Sequence, residues 1–123
     1  MNDPEQVVLA FNDCINTQDI AGLSALMTND HTFIDSSNEV HQGKAMMVAG
    51  WTEFFHRYPD YRNHFTRLET RGNLVLVTGY STCAYDPLDG PAIWTAKVET
   101  GRIAEWRVYL DTAENRARLN LSG

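Results

Sequence analysis

The chain has 123 residues, 43% of them hydrophobic and 21% charged, with three Trp, five Phe and five Tyr; that is apolar mass enough for one folded domain over residues 1–123 and too little charge for a disordered chain. The formal net charge is −6 and the ten Lys and Arg residues form no basic stripe, which argues against nucleic acid as a partner. No apolar run approaches the roughly 20 residues of a membrane span, and Met1-Asn2-Asp3-Pro4-Glu5 lacks the features of a secretory signal, so a cytoplasmic protein without a membrane partner is expected.

Helical patterns come first along the chain. Asp3 can cap a helix that begins at Pro4, with Gln6 completing a box-like arrangement, and Val7, Val8, Phe11, Cys14 and Ile15 then share one face. Asp19 caps a short second helix carrying Ile20, Leu23, Leu26 and Met27. A brief strand over 31–35 follows. After the turn residues Ser36-Ser37-Asn38, Gly43 precedes a third helix with Met47, Trp51, Phe54 and Phe55 inward. Cys14 and Cys83 stand far apart with no motif around them and read as reduced core residues.

Beyond Pro59 the apolar period changes to two. Residues 61–70, 74–85, 92–99 and 102–111 read as strands, with tight turns at Arg71-Gly72-Asn73 and Thr100-Gly101 and a surface loop over 86–91. Consecutive hairpins make an antiparallel meander. The fold class is therefore α+β: a curved antiparallel sheet with three N-terminal helices closing a cone-shaped pocket. Val75 and Val77 lie on one face of their strand and Leu74 and Leu76 on the other. An apolar outer face of this kind predicts a homodimer through the sheet.

The order and spacing of three stretches resemble the nuclear-transport-factor-2-like superfamily, in particular its SnoaL-like polyketide cyclase and ketosteroid isomerase branches. They are Asn16 to Leu23 with Leu26 to Asp30, then Phe33-Ile34-Asp35 with Gly43 eight residues later, and finally Gly101 to Asp111. The resemblance implies a ligand pocket and a homodimer, on a scaffold that hosts enzymes, binders and interaction modules. Asp35 matches the proton-shuttling carboxylate of the isomerases. Their enolate-binding Tyr and protonated Asp fall at Phe11 and at about Trp94 or Thr95, which cannot replace them, so steroid isomerisation of that type is not implied. The Arg-x-Asp pair of limonene epoxide hydrolases is missing from the strand over 74–85. Asp111 matches the base of the SnoaL-like cyclases.

Strand alternation puts His31, Phe33 and Asp35 on one face of their strand. In the last strand Trp106, Val108 and Leu110 form an apolar face, and Glu105, Arg107, Tyr109 and Asp111 form a mixed one. If the mixed face lines the cavity, Asp111 and Asp35 become two desolvated carboxylates with raised pKa values, suited to take a proton next to a carbonyl. Tyr109 or His31 would then steady the enolate. Each has a plainer reading: Asp111 as a helix cap, Asp35 as a turn residue, Tyr109 as an interface aromatic and His31 as a surface residue. Phe11, Phe33, Trp51, Phe55, Tyr80 and Trp94 are the expected pocket walls. The histidines show no metal spacing, no phosphate loop or nucleophile motif is present, and neither a metal nor another cofactor is expected. The reading is a pocket for a small apolar molecule with acid–base chemistry of the isomerase, cyclase or lyase kind. A non-catalytic binder of an apolar metabolite and a dimeric interaction module are the alternatives.

Overall fold

The computed structural model describes residues 3–121. Met1 and Asn2, read above as part of a leaderless N-terminus, and Ser122 and Gly123, placed within the domain limits, lie outside the described residues.

Helix α1 spans Pro4–Thr17; the side chain of Asp3 accepts from the Glu5 N–H, and Gln18 closes the helix in the left-handed conformation at φ 59°. Its buried residues Val7, Val8, Phe11 and Ile15 recur at helical spacing. Helix α2, Ile20–Ala25, is capped by Asp19, which accepts from the Gly22 N–H, and buries Leu23. Strand β1 runs over Met27–Ile34, four residues earlier than its sequence pattern indicates, and leaves Asp35 just past its end. A three-residue strand not expected from the sequence, β2, Val40–Gln42, folds back on β1. Helix α3, Lys44–Arg57, follows Gly43 at φ +107°, a conformation that favours glycine.

The meander forms as expected: β3, Arg62–Arg71; β4, Leu74–Thr82; β5, Gly90–Glu99; and β6, Arg102–Leu110, each antiparallel to the next. A 3₁₀ turn at Asp86–Leu88 fills the longer loop. The full sheet has six strands in the order β2-β1-β6-β5-β4-β3, and β1 runs parallel to β6. The sheet is therefore mixed and open. The parallel pair arises because β1 is separated from β6 by a helix and four strands, and it docks on the free edge of the meander rather than in a hairpin.

Helix α1 crosses the inner face of the meander, while α3 lies against β1, β2 and α2. Between them sits the core, with Phe11, Ile15, Leu23, Met27, Val75, Val77, Trp94, Ile103 and Trp106 almost wholly buried. Helix α4, Ala113–Arg118, is capped by the Thr112 hydroxyl rather than by Asp111. The C-terminal segment returns to the sheet's outer side: Arg71 donates to the carbonyls of Leu119 and Asn120, and Arg116 and Leu121 share a small cavity with Leu76. Leu76 and Ile93, which face outward, are only 1% and 0% exposed. The apolar outer face that suggested sheet-to-sheet pairing is thus largely covered within the chain. Among the described residues no helix is long and apolar enough to cross a membrane.

Candidate functional site

Alternation on β6 decides what the cavity contains. Trp106 pairs with Ala96 and Val108 with Trp94, and this apolar set points toward the helices, as burial of apolar surface requires. A cavity of about 370 Å³ lies between that face and α3, within the range of small-molecule sites. Phe33, Trp94, Trp106 and Val108 line it from the sheet, with Tyr61 and Asn63 at the start of β3. Met46, Met47, Gly50, Trp51 and Phe54 line it from α3, and Leu88 comes from the 3₁₀ turn. Asp35, Ser36 and His41 close the ring at the β1–β2 end.

The mixed face of β6 points the other way, which corrects the placement of two expected catalytic residues. Asp111 forms a two-pronged ion pair with Arg116 at 2.6 and 2.9 Å. That hydrogen bond outweighs the partial desolvation and holds its carboxyl below the usual range, opposite to the expected rise. The Tyr109 hydroxyl accepts from Thr95 at 3.2 Å, and its ring lies under the Arg107 guanidinium at 4.8 Å. Neither Asp111 nor Tyr109 lines the cavity.

His31 is also displaced from its expected role. It is fully buried, Nδ1–H donates to the Ile103 carbonyl at 2.8 Å, and its ring lies 6.0 Å from that of Phe11. Burial pushes its pKa down despite that bond, so it is a neutral core residue rather than a surface histidine. Three expected wall residues sit elsewhere too. Phe11 packs on Trp106 in the core at 4.8 Å, Phe55 lies behind Trp51 at 5.4 Å, and Tyr80 stacks on His64 on the outer face at 4.7 Å. Phe33, Trp51 and Trp94 line the cavity.

Asp35 stands at the mouth, and it is both a turn residue and a pocket residue. One oxygen, Oδ1, accepts from the backbone N–H groups of Ser37 and Glu39 at 2.9 and 3.0 Å. The other, Oδ2, lies 3.2 Å from His41 Nε2. Desolvation raises its pKa, but the Glu39 N–H, the His41 side chain and the Ser37 N–H together outweigh it and leave the carboxyl below the usual range. An ionised carboxylate only accepts, so Nε2 carries the shared proton, and a neutral His41 keeps Nδ1 as its basic nitrogen. The β2 strand makes this pair, because it sets Val40 opposite Ile34 and His41 opposite Phe33.

Ligand atoms of Asp35, Glu39 and His41 also lie within 4.8 Å of one another, among the described residues a spacing that could hold a metal ion. His41 Nε2 bonds to Asp35 Oδ2, so an ion ligated by that nitrogen would displace the Asp35–His41 bond.

The inner end is organised by a second network. Tyr61 O–H donates to Ser81 Oγ at 3.2 Å, and Ser81 donates to Asn63 Oδ1 at 2.7 Å. Burial raises the Tyr61 pKa, so its proton stays in place. From α1, Asn16 grips the free edge of β3 at the same residue: its Oδ1 accepts from Asn63 N–H at 2.8 Å and its Nδ2 donates to the Asn63 carbonyl at 2.9 Å. His41, Tyr61, Asn63 and Ser81 were not singled out from the sequence. The alternation of Tyr61 and Asn63 across Arg62 is the only local sign of them.

The SnoaL-like domain model matches residues 8–106. The chain belongs to the SnoaL-like domain family. A comparison with curated proteins finds no match. Among solved structures, it is similar to a candidate SnoaL-like polyketide cyclase from Shewanella putrefaciens CN-32, with TM-score 0.78 and 16% identity over 99% of this chain and 88% of that one. It is also similar to an NTF2-like protein of unknown function from Cytophaga hutchinsonii, with TM-score 0.74 and 16% identity over 98% and 96%. A third is an LEH-like epoxide hydrolase from M. tuberculosis, with TM-score 0.77 and 20% identity over 88% and 82%. At these identities the likeness is one of fold.

Proposed function

We propose that this SnoaL-like protein binds a small, largely apolar carbonyl compound and moves a proton on the carbon next to its carbonyl. The observation that carries the reading is the Asp35–His41 pair at the rim of an aromatic cavity. Asp35, fixed by two backbone N–H groups, holds the His41 tautomer whose Nδ1 accepts a proton, and its charge stabilises the imidazolium that results. Asp35 therefore acts as a positioning residue and His41 as the base. No raised carboxylate pKa is needed. Trp51, Trp94 and Trp106 supply the apolar wall on which the rest of the compound packs.

The test is deuterium exchange of the methyl protons of 2-acetonaphthone in D₂O, followed by ¹H NMR. The protein should accelerate exchange, and His41→Gln should lower the protein-dependent rate by about a hundredfold or more. Exchange at the buffer rate with wild-type protein would sink the proposal. A non-catalytic binder is the second reading, favoured by the satisfied, ionised state of Asp35, a weaker base than a desolvated carboxylate; it predicts ketone binding without exchange.

We propose separately that the chain forms a homodimer; with Leu76 and Ile93 covered within the chain, the contact is the part of the outer sheet face left open around Tyr80, which is 43% exposed and stacked on His64. A single monomer-mass species in sedimentation at micromolar concentration would end it.

A further inference from the structure

The cavity wall carries a polar pattern that the rim pair does not explain. Trp51 Nε1, Trp94 Nε1 and Asn63 Nδ2 are buried nitrogen donors with no acceptor among the described residues. Their residues are 7%, 1% and 2% exposed, and all three line the same cavity. Folded proteins leave few buried donors unanswered, because each forfeits its bond to water. Three on one small wall form a pattern.

The surrounding contacts hold these donors in place. Ser81 occupies the Asn63 amide oxygen, so the NH₂ end is the one left without a partner. The relay from Tyr61 through Ser81 polarises that amide in the donating direction. Phe65 packs on the Trp94 ring at 5.0 Å, and Phe33 and Phe54 flank Trp51 at 6.0 and 5.6 Å. Neither indole can turn away without disturbing that packing.

A wall of donors selects an acceptor. A hydrocarbon would leave them unanswered, and an ammonium would set donor against donor. Among the described residues no Lys or Arg lines the cavity, so the charge of a carboxylate would go uncompensated there. We propose that Asn63 Nδ2 and the indole N–H groups of Trp94 and Trp51 form a subsite for a neutral carbonyl oxygen borne on an aromatic or alicyclic compound. This deepens the proton-transfer reading by placing the substrate's oxygen on the inner wall and its reacting carbon toward His41.

The test compares 2-acetonaphthone with 2-isopropenylnaphthalene, in which CH₂ replaces the carbonyl oxygen at nearly constant shape. Affinity is measured by calorimetry on the full chain, and the Trp indole resonances are followed by ¹H–¹⁵N NMR. The ketone should bind about tenfold tighter or more, although the alkene is the more hydrophobic compound. Two indole N–H signals should move downfield with the ketone alone. Asn63→Leu and Trp94→Phe should each lower the ratio of ketone to alkene affinity. If either variant fails to fold, the wild-type pair still decides. Equal affinities, no ketone binding, or unmoved indole signals would overturn the subsite. Ketone preference without methyl-proton exchange would overturn the proton-transfer reading alone; exchange without ketone preference would overturn the subsite alone.

Discussion

Replacing Asn16 with Ala should loosen the edge of the sheet that carries Asn63. Strand β3 is at the sheet's edge, so the outward backbone groups of Asn63 have no strand to pair with. Asn16 takes that place with bonds of 2.8 and 2.9 Å. In the variant the carbonyl keeps one long bond, from Asn12 Nδ2 at 3.4 Å, but the N–H loses its acceptor. An unanswered N–H costs about 1–3 kcal/mol and a lost net hydrogen bond about 0.5–1.5 kcal/mol. Asn16 is only partly buried, so water recovers some of this, and a loss of about 2 kcal/mol is expected. Urea unfolding should show it as a midpoint about 1 M lower, and thermal unfolding as a Tm about 8 °C lower. Ketone affinity should fall as well, because Asn63 is no longer held. A change below about 0.5 kcal/mol would refute the idea that this clamp secures β3.

Other consequences follow from the same packing. Gly79 faces the His64 backbone carbonyl across β3–β4 so closely that a Cβ has no room, and backbone cannot yield as a side chain does; Gly79→Ala should cost about 3 kcal/mol or more in urea unfolding, or prevent folding. Asp111→Asn should leave methyl-proton exchange unchanged, since Asp111 lies outside the cavity, and should cost up to about 1 kcal/mol at neutral pH. Because the folded Asp111 pKa is depressed, its contribution is present above the unfolded value of about 3.9 and is lost as pH falls through the folded value. Stability curves of variant and wild type should therefore converge in acid; a gap that persists below the folded pKa would contradict the ion-pair assignment.

Much of the fold is legible in the sequence because its signals are periodic and local. The face of α1 through Val7, Val8, Phe11 and Ile15, the caps Asp3 and Asp19, and the glycine turns of the meander all act within a few residues. Strand β2 is not legible in this way. Its three residues are exposed or half-exposed, and pairing with β1, rather than any apolar period, makes it a strand. His41 depends on that strand, so the rim pair was hidden with it. On β6 the alternation was plain, yet it does not say which face turns inward. The apolar face of Trp106 and Val108 wins because burying it gains more than burying Arg107 and Glu105, whose charges would have to be desolvated. That choice moves Asp111 and Tyr109 to the outside. The outer cover of Leu76 was equally illegible, since it rests on Arg71 meeting the carbonyls of Leu119 and Asn120 some 48 and 49 residues along the chain.

The claim that Asp35 works through His41 is tested most directly by a double-mutant cycle on the exchange of 2-acetonaphthone methyl protons. Asp35→Asn retains an oxygen for the Ser37 and Glu39 N–H groups, and so keeps the turn while removing the charge beside His41. Asp35→Asn and His41→Gln should each slow exchange, and the double variant should be no slower than His41→Gln alone, because one unit is lost only once. Rate losses that multiply in the double variant would contradict the account and make Asp35 and His41 independent groups.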